Sequence, residues 1–278
     1  MVGGGAFEVL PGETSVGSHK IMNYFCENFG KDPGNDFISA HLYVKGHLVD
    51  HLQQCWPHEV CGDGAPNQPK PLLPVAQRLI KSTAYINAAC GGKPLWITES
   101  GYSIGQWQGN RKPTYPVTDV QQRQMLPQIL ITAQMYARTV FLFNLNNTPG
   151  AHFYGIADKA SGSLDGFRAV RTMSTVFDSS VESTSQRHIT SNALNSIPAS
   201  VDGYGFTGSG TTKYALWTTT AEPREVRLNF GTGNKQLTVT GWDGTLGAAN
   251  VPAHPVTDVE GNYTFVLPAR DVLYVSFP

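Results

Sequence analysis

The apolar positions change their spacing once along the chain, near residue 178. Before it, short apolar runs alternate with stretches in which apolar residues recur every three or four positions. That pattern predicts strands buried on both faces alternating with amphipathic helices. Val2 to Phe7 predicts a short glycine-rich strand. Ser18 to Phe29 predicts a helix, with Ile21, Phe25 and Phe29 at i, i+4 and i+8 as its apolar stripe and Gly30 as its cap. Asp36 to Val44 (DFISAHLYV) predicts a buried strand, and a long loop follows to Pro71. Pro74 suits the first turn of a helix that runs to about Cys90 and carries Val75, Leu79, Ile80 and Ile86. Lys93 to Glu99 predicts the next strand, its apolar run Leu95-Trp96-Ile97 giving way to Thr98, Glu99, Ser100 and Gly101. Thr118 and Gln121 form a capping-box pattern that opens a helix striped by Leu126, Ile129, Leu130, Ala133 and Ala137, with a kink expected at Pro127. Thr139 to Leu145 predicts a further buried strand, and Phe167 to Phe177 a last amphipathic helix.

Beyond Phe177 the spacing becomes that of half-buried strands. Ser, Thr and Gly dominate, and short alternating segments stand between Gly-rich turns: Tyr214 to Trp217, Val226 to Phe230, Leu237 to Val239, Thr264 to Leu267 and Val272 to Phe277. This is the pattern of an antiparallel β-sandwich. The expected organisation is therefore an α/β domain over residues 1–178 and an all-β domain over residues 179–278. Trp217 and Trp242 fit the sandwich core better than a ligand platform.

Composition narrows the partners. The chain has 278 residues, 40% of them hydrophobic, enough for one large core or two smaller ones. Charged residues make up 15%, against roughly 25% in an ordinary soluble domain. The net charge is -1, which gives no attraction to nucleic acid or to an acidic membrane. A surface rich in hydroxyls, amides and aromatics suits a neutral, hydroxylated ligand such as a sugar. No stretch approaches the roughly 20 apolar residues that span a bilayer. Met1 to Gly5 has neither a basic region nor an apolar core, so it is not a signal peptide. Two glycosylation sequons, Asn146-Asn147-Thr148 and Asn262-Tyr263-Thr264, have meaning only in a secreted protein.

The candidate chemistry centres on Glu99. A carboxylate where a buried parallel strand stops sits at the sheet rim, where α/β barrels keep their catalytic groups. His41 and Tyr43 alternate with Leu42 and so share one face of their strand. A tyrosine beside such a carboxylate can hold it ionised and oriented. A core histidine or tyrosine satisfied by structural hydrogen bonds is the alternative.

The order of these motifs resembles the second half of retaining glycoside hydrolases with a (β/α)8 barrel, of the β-xylosidase and α-iduronidase kind. Val2-Gly3-Gly4-Gly5-Ala6 resembles the fifth barrel strand, with Gly5 where those enzymes often carry Pro. Asp36 to Tyr43 resembles the sixth, with its His-x-Tyr, and Ile97-Thr98-Glu99 resembles the seventh. Tyr154-Gly155-Ile156-Ala157-Asp158 resembles the segment after the eighth, and Tyr214 to Trp217 and Val272 to Val275 resemble inner strands of the trailing sandwich. The resemblance implies a partial TIM barrel, strands five to eight, followed by a β-sandwich. It implies Glu99 as the nucleophile, with a carbohydrate substrate and no metal or other cofactor. The substrate-binding candidates are His41 and Tyr43, Asn144, and Tyr102 and Trp107 on loops past the strand ends, where an aromatic ring can stack on a sugar or pack on its own loop.

Two departures matter. Thr139 to Asn147 contains no Trp to floor the sugar site, so Phe143, Asn144 or His152 would take its place. The general acid of such enzymes follows an Asn, and this chain contains no Asn-Glu pair. Glu8 is the nearest makeshift. The chain is therefore expected to be a truncated form, partnered by a missing N-terminal half-barrel or by itself. The alternative is a non-catalytic carbohydrate-binding or scaffold protein. Four cysteines, Cys26, Cys55, Cys61 and Cys90, fit two disulfides in an extracellular or secretory setting. Cys55–Cys61 is favoured by proximity on one loop, and Cys26–Cys90 because each ends a helix and the two helices would be barrel neighbours. A zinc site from His51, Cys55, His58 and Cys61 remains the other reading of that loop.

Overall fold

The computed structural model describes residues 3–7, 17–43, 61–62, 71–72, 75–102, 104, 117–145, 155–157, 165–177, 187–188, 200–208, 211–229, 236–247 and 261–277. The chain divides into two compact units, Met1–Ser163 and Leu164–Pro278.

The first unit runs β1 (Gly3–Phe7), α1 (Gly17–Phe29), β2 (Phe37–Leu42), the two-residue strands β3 (Cys61–Gly62) and β4 (Pro71–Leu72), α2 (Val75–Ala89), β5 (Leu95–Ser100), α3 (Asp119–Gln134) and β6 (Thr139–Leu142). Strands β1, β2, β5 and β6 pair in parallel in that order. Strands that lie in chain order, each reached through one helix, follow the winding of an α/β barrel. A doubly wound sheet reverses its order at a switch point. Among the described residues this sheet has four strands and no closure. β3 and β4 form a separate antiparallel pair.

One face of the sheet is the core. Ile38, Ala40 and Leu42 of β2 and Leu95 and Ile97 of β5 are fully or almost fully buried. Leu79 and Ile86 of α2 and Leu126, Ile129 and Ala133 of α3 are buried as well. The capping box of α3 forms as its sequence predicts. The Thr118 hydroxyl accepts from the Gln121 amide at 3.2 Å, and Gln121 Oε1 accepts from the Thr118 amide at 2.8 Å. The helix continues through Pro127.

Helix α1 forms where expected but presents a different face. Met22 and Cys26 are buried, whereas Ile21 is 62% exposed and Phe29 49%. The stripe Ile21, Phe25, Phe29 is thus turned outward, and Phe29 packs its ring against Tyr24 and Phe25 at 6.1 and 6.0 Å. The reason is the Cys26–Cys90 disulfide, with a Cα–Cα distance of 4.6 Å. It commits the Cys26 side of α1 to the end of α2, and residues one position back lie about 100° around the helix. Ile80 of α2 is likewise on the outside. Gly30 closes α1, its amide donating to the Phe25 and Cys26 carbonyls at 3.0 and 3.1 Å. A Cβ there would meet Cys26 O at 2.6 Å and Cys90 Cα at 3.0 Å, so only glycine fits under the bridge. Cys55 lies outside the described residues, as do His51 and His58.

The second unit opens with α4 (Asp165–Val176) and continues through β7 (Arg187–His188), β8 (Val201–Gly208), β9 (Thr211–Thr218), β10 (Arg224–Leu228), β11 (Thr238–Thr240), β12 (Tyr263–Leu267) and β13 (Leu273–Phe277). An antiparallel sheet in the order β11-β13-β9-β8-β7 accompanies the antiparallel pair β10-β12. Leu216, Val226, Leu228, Val239, Tyr263, Leu273 and Val275 meet in one core. The opposite side of β8 and β13 receives Phe177, whose ring lies 4.4 Å from Phe206 and 5.8 Å from Tyr274. Lys213 Nζ donates to the Val176 carbonyl at 2.6 Å and so closes α4. Burial pushes the Tyr274 phenol well above its ordinary range.

Strand β8 has no counterpart among the strands expected from apolar alternation. Its sequence, VDGYGFTG, carries glycine at alternate positions. A Cβ at Gly203 would run into the Ala215 carbonyl, and one at Gly205 would meet the Tyr214 ring at 2.7 Å. The glycines are close-approach positions in a sheet, and the sequence alone presents them as turn residues.

Candidate active site

A bulge in β5 builds the site. β5 registers with β2 as Ile38↔Leu95, Ser39↔Trp96 and Ala40↔Ile97, then as His41↔Glu99. Across the other edge, Ile97 pairs with Val140 and Ser100 with Leu142. Both neighbours therefore see one extra residue between Ile97 and Ser100. Strict alternation would have put Glu99 beside Leu95 and Ile97, against the helices. The extra residue reverses the phase. Exposure follows: Leu95, Ile97 and Ser100 are buried, whereas Trp96, Thr98 and Glu99 are partly open. Thr98 ties the bulge to β2, its Oγ1 lying 2.9 Å from Ser39 Oγ and 3.4 Å from the Ala40 carbonyl.

Glu99 consequently faces the same way as His41 and Tyr43, at the C-terminal ends of adjacent parallel strands. Tyr43 Oη donates to Glu99 Oε2 at 2.9 Å. His41 Nδ1 lies 3.3 Å from the same oxygen. The His41 and Tyr43 rings meet edge to face, 6.3 Å apart. The His41 side chain is 15% exposed and that of Glu99 34%, so the carboxylate is reachable from solvent while its two partners are held. The carboxylate is thus held by the phenol donor, has the imidazole beside the same oxygen and keeps an open side, an arrangement that can serve as a nucleophile or base. Towards the strand starts, the same face carries Phe37 stacked on Trp96 at 4.1 Å, with Phe141 6.2 Å beyond.

Two further expected site residues lie among the described ones. Tyr102 is buried, 7% exposed, and its carbonyl accepts from Gln122 Nε2 at 2.8 Å. Asn144 lies two residues past β6, after a cis Phe143–Asn144 peptide, and its carbonyl accepts from the Ile156 amide at 3.3 Å. Trp107, His152 and Glu8 lie outside the described residues. Ser39 and Thr98, which fix the bulge, carried no signal beyond a pair of hydroxyl residues on adjacent strands. Among the described residues no three His, Cys, Asp or Glu side chains are grouped to hold a metal ion. No helix among them is long and apolar enough to cross a membrane.

No protein-family model matches the sequence, and no curated protein matches it. Solved structures do match in fold. A family 39 glycoside hydrolase from the gut symbiont Bacteroides cellulosilyticus WH2 superposes with a TM-score of 0.64 at 17% identity, over 94% of this chain and 48% of its own. A family 44 endoglucanase of Clostridium acetobutylium ATCC 824 gives 0.56 at 11% identity, over 98% and 55%. An α-L-arabinofuranosidase of Thermotoga maritima, in complex with arabinose, gives 0.54 at 13%, over 92% and 55%. The chain spans about half the length of these structures, and it shares with them a glycoside-hydrolase-like fold.

Proposed function

We propose that this chain carries the nucleophile half of a retaining glycoside hydrolase, with Glu99 as the attacking carboxylate. One observation carries the reading: Tyr43 Oη and His41 Nδ1 converge on Oε2 of a part-exposed glutamate at the end of a parallel strand. Among the described residues both contacts fall on Oε2, which leaves Oε1 to attack. Oε1 bonds to the anomeric carbon, the glycosidic bond breaks, and the leaving oxygen departs with the electron pair. Water then hydrolyses the glycosyl ester. In this reading β1, β2, β5 and β6 correspond to barrel strands five to eight. Tyr102, Trp107 and Asn144 are the further sugar-contacting candidates.

The reading also assigns a partner. Among the described residues β1 is a sheet edge, and Phe141 on the open sheet face and Ile21, Tyr24 and Phe29 on α1 are all exposed. Further βα units, from another chain or a second copy, would cover such an edge and such apolar surface. Retaining hydrolysis needs a second carboxyl group roughly 5–5.5 Å from the nucleophile to protonate the leaving oxygen. Among the described residues the contacts of Glu99 are a phenol and an imidazole, and in this reading the acid comes with the partner. The setting we propose is extracellular, in keeping with the Cys26–Cys90 bridge.

The test is turnover of matched alkyl and aryl glycosides by the purified chain and by Glu99→Gln. General acid catalysis is typically worth about 10²–10⁴-fold, so alkyl glycosides should be cleaved negligibly and activated aryl glycosides slowly. Glu99→Gln should abolish the aryl release. Aryl release that survives the substitution overturns the reading. Glycan affinity with no turnover of either substrate would make the protein a carbohydrate-binding module instead.

A further inference from the structure

Arg78 occupies a position that helix stability argues against. It is the fourth residue of α2, near the positive end of the helix dipole, in a first turn with no acidic residue. It is also only 8% exposed, so its guanidinium has left most of its water. Both terms call for compensation by hydrogen-bond partners. Its Nη1 donates to the Tyr43 carbonyl at 3.3 Å. Tyr43 lies one residue beyond β2, past the last paired residue, Leu42. From that position its phenol reaches Glu99 Oε2.

We propose that Arg78 is a positioning residue: it anchors the main chain of Tyr43 so that the phenol O–H stays on the Glu99 carboxylate. The chain of contacts runs from the α2 guanidinium to the Tyr43 carbonyl, and from the Tyr43 hydroxyl to Oε2. A cation at the first turn of α2 thereby sets the geometry of the Glu99 carboxylate on β5. The kinetic consequence rests on the glycosidase reading; the positional one does not. A purely structural Arg78 would act through its aliphatic stem, packed between helix and sheet. Arg78→Met keeps most of that stem and removes the donor.

The experiment compares wild type, Arg78→Met, Tyr43→Phe and the double variant, with Arg78→Lys as a second probe should Arg78→Met not fold. The first readout is the carbon-13 carboxyl signal of Glu99 at one fixed pH. Tyr43→Phe should move it, Arg78→Met should move it in the same direction, and Arg78→Met should add nothing in the Tyr43→Phe background. Arg78→Lys should give an intermediate signal. The second readout is aryl alcohol release, where loss of the anchor should cost about tenfold, the scale of one hydrogen bond to a charged system, and again nothing further without the Tyr43 hydroxyl. A Glu99 signal unmoved by Arg78→Met and Arg78→Lys, or moved equally in both backgrounds, overturns the proposal. If the wild type releases no aryl alcohol, the glycosidase reading fails and the carboxyl signal still decides the role of Arg78.

Discussion

Replacing Cys26 and Cys90 together by alanine should cost the first unit a large part of its stability. The bridge closes a loop with a sequence separation of 64, which contains β2, the β3–β4 pair and α2. The loss of denatured-chain entropy from a loop of that length is about 4 kcal/mol at 25 °C in the chain-entropy model, and measured bridges typically give about 2–4 kcal/mol. Both cysteines are fully buried, so the lost sulfur contacts add to that figure. The assay is pulse proteolysis across a urea series, followed by mass spectrometry of peptides from α1 and α2, with peptides from β9 and β13 as the internal reference. The α1 and α2 peptides should become cleavable at lower urea by an amount equivalent to about 2–4 kcal/mol, while the reference peptides hold their midpoint. A reductant without urea should leave the wild-type bridge intact, because burial denies the thiolate access. Coincident urea profiles for the two proteins would refute the reasoning.

Further outcomes follow from the same contacts. Gly30→Ala should weaken α1 and its bridge together, since its Cβ meets backbone atoms of Cys26 and Cys90; a loss of more than about 1 kcal/mol in the same proteolysis assay is expected, and none would contradict the close approach. Gly205→Ala should destabilise the second unit alone, because the Tyr214 ring stands 2.7 Å from the added carbon. Tyr85 should ionise at about 12, raised by burial and then by the hydrogen bond and charge of Glu27. A phenol whose folded pKa is raised contributes stability that is fully present below its unfolded value of about 10 and is lost as pH rises through the folded value. Glu27→Gln should bring the ultraviolet titration of Tyr85 down towards 10, and an unchanged midpoint would contradict the assignment.

Much of the first unit could be seen in the sequence because the apolar runs of β2 and β5 are continuous and buried on the helix side. β6, whose apolar run predicts a buried strand, is only half-buried, and its Phe141 is exposed. The capping box at Thr118 and Gln121 was legible locally, and the pairing of Cys26 with Cys90 followed from expecting their two helices to be barrel neighbours. The outward turn of α1 was not, since Ile21, Phe25 and Phe29 have the spacing of a core stripe and only the bridge decides which side faces in. Glu99, His41 and Tyr43 could be named as candidates from their positions at strand ends. Their convergence could not be derived by counting, because alternation from Leu95 and Ile97 points Glu99 away from His41. The bulge at Thr98 corrects the phase, and a bulge leaves no mark in an apolar pattern. β8 stayed hidden for the opposite reason: its alternate glycines make room for Tyr214 and Leu216, and a missing side chain has no periodicity to read.

The proposed role of Glu99 is tested most directly by covalent trapping. The chain is incubated with activated 2-deoxy-2-fluoro glycosides, whose glycosyl–enzyme esters hydrolyse slowly, and is then read by intact mass and peptide mapping. One added glycosyl group per chain on the peptide that contains Glu99, absent in Glu99→Gln and slowed in Tyr43→Phe, is the predicted result. A glycosyl group on any other residue, or labelling that persists in Glu99→Gln, would contradict the account.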